Sequence, residues 1–138
     1  MSRVINRSLQ LCTLLVVFLV ALPVTAKPIH PYADPIALGD QAIDVSAMLA
    51  TAFESTPWTL AQENDAQYLG KLSYKGFDVQ VRISLIDNVL TMTLDSVTET
   101  GCADNCKDLG EKPVLRWLVS LRRSITFELT VQVRDSLQ

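Results

Sequence analysis

The chain has 138 residues, 49% of them apolar and 20% charged, with 12 basic against 15 acidic residues and a net charge of −3. That length suits a single domain with one core. The mildly acidic balance and the scattered charges argue against nucleic-acid or anionic-membrane binding, both of which need clustered Lys and Arg.

Residues 1–26 read as a secretory signal peptide. Arg3 and Arg7 supply the positive start, residues 11–22 the apolar run, and Pro23-Val24-Thr25-Ala26 a small-residue cleavage site. The run is too short for the roughly 20 residues of a membrane-spanning helix. Cys12 follows Leu11 near the beginning of that run, which is not the lipobox position for a lipid anchor. Cleavage after Ala26 would remove two arginines and no acid, leaving ten basic and fifteen acidic residues and a charge of −5. A periplasmic or secreted product without a membrane span is therefore expected.

Segment 27–39 contains three prolines and a glycine and is expected as an extended leader. The domain proper is assigned to 40–138. Ile43, Met48, Leu49, Ala52 and Phe53 recur at roughly helical spacing, so a first helix is predicted over 40–55, capped by Asp40 and stopped by Pro57.

From Trp58 the period changes to two. Trp58, Leu60 and Gln62 form one side of a first strand, ending in the polar loop Glu63-Asn64-Asp65-Ala66. Tyr68, Gly70, Leu72 and Tyr74 share a face in the second, and Phe77, Val79, Val81, Ile83 and Leu85 in the third. Leu90, Met92 and Leu94 face inward in the fourth. Lys75-Gly76 and Asp87-Asn88 are the tight turns between them. Such a meander has one dry and one wet face, so helices are expected on only one side.

Residues 97–112 read as a polar loop. A second helix is predicted to open at Lys112-Pro113, with Val114, Trp117, Leu118, Leu121 and Ile125 as its apolar stripe and Arg116, Arg122 and Arg123 in water. Beyond it, Ile125, Leu129, Val133 and Leu137 continue the helix, while Phe127, Leu129, Val131 and Val133 alternate like a strand. The helix is the preferred reading.

The fold class that follows is α+β: an antiparallel meander of three or four strands with two helices packed on one face. Its core is expected to hold Leu49, Phe53, Trp58, Leu72, Val79, Val81, Ile83, Met92, Leu94, Leu118, Leu121 and Ile125.

No constellation reads as an active site. Cys102 and Cys106 are the even pair left after Cys12 departs, and in an oxidising compartment they read as a disulfide closing a small loop. A thiol-redox or metal-handling role is the alternative. Redox motifs, however, place two residues between the cysteines rather than three, and Asp104 opposes a thiolate. A metal would need two more ligands, and the single histidine, His30, lies in the leader.

Ser46, Ser84 and Ser96 lack a base, and no Gly-x-Ser-x-Gly is present. Asp78 and Asp95 project from the wet face, where Arg82 can neutralise one of them. Trp58, Tyr74 and Trp117 are the candidate ligand-binding residues, on the same seam whose packing calls for aromatics in any case.

Trp58 at the head of the sheet, Asp95-Ser96 near a strand end and the stripe Trp117-Leu118-x-x-Leu121-x-x-x-Ile125 together resemble small exported bacterial proteins of unknown function, over residues 40–125. The resemblance implies an envelope location and an α-β-β-β-α plan, and transfers no catalytic residue. The expected function is a non-enzymatic envelope accessory binding a protein or a small apolar molecule, with no cofactor, no metal and no nucleic acid.

Overall fold

The strand Phe77–Ile86, with Phe77, Val79, Val81 and Ile83 all buried and polar residues between them, organises the fold. The computed structural model describes residues 30–100 and 111–138. These form strands β1 (Ile36–Ala37), β2 (Thr59–Asn64), β3 (Gln67–Tyr74), β4 (Phe77–Ile86) and β5 (Val89–Glu99), with helices α1 (Val45–Glu54) and α2 (Glu111–Ser136) and a short 3-10 turn at Pro31–Ala33. The sheet is antiparallel throughout, in the order β1-β5-β4-β3-β2. The signal peptide assigned to 1–26 and the pair Cys102 and Cys106 lie outside the described residues.

Two hairpins have the geometry their sequences call for. Lys75 and Gly76 both have positive φ, 49° and 79°, as do Asp87 and Asn88, at 50° and 62°. That is the conformation whose twist matches the flanking strands. The β2–β3 turn is closed differently, by the Asn64 side chain accepting the Ala66 amide at 2.9 Å.

The α+β class stands, but the sheet has five strands where three or four were expected. The extra strand, β1, comes from segment 27–39. Its Ile36 lies opposite Leu90 and is buried, and Leu38 beyond it is buried too. The Leu38 amide donates to the Asn88 carbonyl at 3.0 Å, and the Asn88 side-chain amide donates to the Gly39 carbonyl. A strand of two residues has no period to read, and the prolines around it mask the alternation of Ile36 and Leu38. The Arg122 guanidinium fastens the same segment to α2 by donating to the Asp34 carbonyl at 3.2 Å.

The first helix starts later than expected. Asp44, not Asp40, is its cap, accepting the Ala47 amide at 3.0 Å. Asp40 sits in the turn that follows Gly39, where φ is +75°. Strand β5 also runs to Glu99, into the stretch expected as loop, because Thr98 and Glu99 still pair with Asp78 and Phe77. The helical reading past Ile125 holds: α2 is one helix of 26 residues, about 39 Å long at 1.5 Å per residue.

Both helices cover the same face of the sheet. Val45, Met48, Leu49, Ala52 and Phe53 of α1 and Val114, Leu118, Leu121 and Ile125 of α2 bury against Tyr68, Leu72, Val79, Val81, Ile83, Leu90 and Met92. Gly70 lets α1 approach closely: a Cβ there would stand 2.8 Å from Val81 Cγ1 and 3.1 Å from the Phe53 ring. Every expected core residue is buried except Leu94, which is partly covered at the β5 bulge.

Candidate functional site

Among the described residues, the seam between helices and sheet is filled along most of its length and its side chains are more exposed at one end. Tyr74 closes β3, Phe77 opens β4 across the Lys75-Gly76 turn, and Trp117 lies in the second turn of α2. The Trp117 ring meets Tyr74 edge-on at 5.4 Å between centroids and Phe77 at 6.0 Å. The Lys75 ammonium stands 5.2 Å from the centre of the Tyr74 ring. Tyr74 remains 43% exposed and Val97 of β5, which pairs with Val79 of β4, 42%. The helix-facing side of the hairpin therefore ends in accessible apolar surface with an ammonium at its border.

Of the three aromatic residues singled out from sequence, Tyr74 and Trp117 are brought together and Trp58 is not among their aromatic contacts. Trp58 is only 5% exposed, a core residue at the junction of α1 and β2, where its amide donates to the Thr56 hydroxyl at 3.3 Å.

The polar candidates sit elsewhere and are engaged with one another. On the uncovered face, Arg82 of β4 reaches Glu63 at 2.6 Å and Asp95 at 3.4 Å. Both acids come from irregular positions, Glu63 where the β2 register slips and Asp95 as the extra residue in β5. Bulges of this kind re-aim a side chain. The Asp95 carboxylate, and after it Glu63, raises the Arg82 pKa. Asp78 accepts the Ser73 hydroxyl, and Ser46 donates to Gln62 at 3.2 Å. His30 stacks on Tyr32 at 6.0 Å. Among the described residues, no group of three His, Cys, Asp or Glu side chains could hold a metal.

A second surface feature was missed in the sequence. Residues 30–32 and the outer side of α2 enclose a hollow of about 280 Å³, lined by His30, Pro31, Tyr32, Leu115, Arg116, Val119, Ser120 and Arg123. Its signal was there to be read: residues 112–127 carry Lys112, Arg116, Arg122 and Arg123 and no acid, within an acidic chain.

No family model, no curated protein and no solved structure matches the chain, and of the likeness to small exported proteins only a coarse α+β plan stands. No helix of the described residues is long and apolar enough to cross a membrane.

Proposed function

We propose that this is an exported, non-enzymatic accessory protein of the cell envelope that binds a partner protein or a small apolar molecule at the aromatic end of its helix–sheet seam. The observation that carries this reading is the Tyr74–Trp117–Phe77 cluster, with Tyr74 and Val97 left accessible where the core ends. Edge-on aromatic pairs present rigid, largely apolar surface with a polar tip at Tyr, the composition typical of binding hot spots.

The interior of the seam is a less suitable location. Met48, Leu49, Leu118, Leu121 and Ile125 are fully buried against the sheet there, and a ligand would have to displace them. At the hairpin end a ligand meets Tyr74, Val97 and the flank of Trp117 without disturbing the core. The reading of a non-enzyme rests on the chemistry in view: the acids on the outer face are taken up by Arg82 and Ser73, and His30 stacks on a ring rather than facing a nucleophile.

The test is native mass spectrometry of the protein recovered from its own host, beside a Tyr74→Ser/Val97→Ser variant. The expected result is a chain lacking residues 1–26 that carries added mass, with the added mass lost in the variant. Recovery from the cytoplasm with residues 1–26 intact overturns export, and added mass that survives the double substitution removes the aromatic end as the site.

A further inference from the structure

We propose that the hollow between residues 30–32 and α2 is a second binding site, which takes a small soluble molecule with an apolar body and a single carboxylate. The floor and one wall are apolar: Leu115 and Val119 of the helix, with Pro31 and the Tyr32 ring opposite. The outer rim is cationic. Arg116 and Arg123 stand seven residues apart on one helix face, about 10 Å along the axis, with the Ser120 hydroxyl between them. Among the described residues no carboxylate lies within ion-pair distance of either guanidinium, although acids outnumber bases in the chain.

The size of the hollow sets the size of the ligand. At about 280 Å³ it lies at the lower edge of the roughly 300–1,000 Å³ usual for small-molecule sites. Its donors set the charge. An arginine fork donates two parallel hydrogen bonds to a carboxylate. The lining adds the Ser120 and Tyr32 hydroxyls and the His30 ring, and Pro31, Leu115 and Val119 beside them favour a ligand with an apolar body over a fully hydrated inorganic anion. The wall is fixed in place, because Arg122 holds the Asp34 carbonyl and Ile36 pairs with Leu90 just beyond it. The hollow shares no residue with the aromatic end, so either site can fail without the other.

The experiment is a titration of the isotopically labelled protein with sodium octanoate, followed by NMR, in parallel with 1-octanol and with the Arg116→Gln/Arg123→Gln variant. Both arginines are exposed, so the variant is expected to keep the wild-type spectrum away from the site. Octanoate should give saturable shifts at Tyr32, Val119 and Ser120, with Tyr74 and Val97 unmoved. Losing the charge-assisted hydrogen bonds should weaken binding by about tenfold in the variant, and 1-octanol should bind worse than octanoate by a similar factor. Absence of saturable shifts, equal binding of 1-octanol, or unchanged affinity in the variant would each overturn the site. Arginine-dependent sedimentation with phosphatidylglycerol vesicles, without octanoate binding, would overturn it in favour of an anionic membrane surface.

Discussion

The middle and the hairpin end of the helix–sheet seam are built from the same kinds of residue and differ in what covers them. In the middle, Phe53 lies over Gly70, and Leu118, Leu121 and Ile125 of α2 belong to the same buried cluster as Val79, Val81 and Ile83. At the end, Trp117 lies edge-on to Tyr74 and Phe77, and Tyr74 and Val97 stay in contact with solvent. The middle is specified by packing, in which each side chain has neighbours on all sides and little freedom to change. The end carries apolar surface that packing does not consume. A fold can give up that surface to a partner without loss of stability, which is why the proposed binding is placed there and not in the filled interior.

The contrast is sharpened by substituting one residue in each region. Leu118→Ala empties a fully buried position in α2 and should cost about 2–5 kcal/mol in chemical denaturation, the largest single effect expected. A loss of less than about 1 kcal/mol would show that the middle of the seam is looser than its burial implies. Gly70→Ala tests the closest approach of helix to sheet. The added methyl would meet Val81 at 2.8 Å and Phe53 at 3.1 Å, so a destabilisation of about 1–3 kcal/mol is expected from overpacking. An unchanged midpoint would mean that α1 can lift away from the strand freely.

Tyr74→Ser is the matching change at the open end. It removes one edge-on ring contact from a side chain that is already nearly half in water, and should cost only about 1 kcal/mol. If it cost as much as Leu118→Ala, the aromatic end would be part of the core and unavailable to a partner.

How far the amino-acid sequence discloses these regions depends on the length of the pattern in each. Strands β3 and β4 and the inward half of β5 show in their alternation, because three to five residues repeat on one face of each. The stripe from Val114 to Ile125 shows α2 for the same reason. What stays hidden is set by contacts distant in the chain. Ile36 is a strand residue only because Leu90 is opposite it. Asp44 rather than Asp40 is the cap because the chain is still turning after Gly39. The extra residue at Asp95 restores Val97 to the inner face, a shift that a period of two cannot foresee. Of the candidate site, the Tyr74–Trp117 pair was legible as aromatics on one seam. Their separation from Trp58 was not, since Trp58 alternates with its neighbours as well at the head of a strand as in a binding groove.

The smallest effect is expected on the uncovered face, from Arg82→Gln. Arg82 joins Glu63 and Asp95, yet all three side chains are about one-third exposed, so water and ions compete for each contact. The substitution should lower the melting temperature slightly in dilute buffer, and the difference should vanish in about 1 M salt, where screening acts within a few ångström. The pH dependence has a definite sign. Asp95 first, then Glu63, raises the Arg82 pKa, so the stability gained from its charge is complete below the unfolded-state value. It is lost only as the pH climbs through the higher folded-state value, in strongly alkaline solution. Titration of Arg82 itself therefore contributes no slope between about pH 5 and 9. A wild-type-minus-variant difference that persists in high salt would mean that Arg82 acts through the packing of its side-chain stem over the sheet rather than through its charge, and that the wet face contributes to stability as the dry one does.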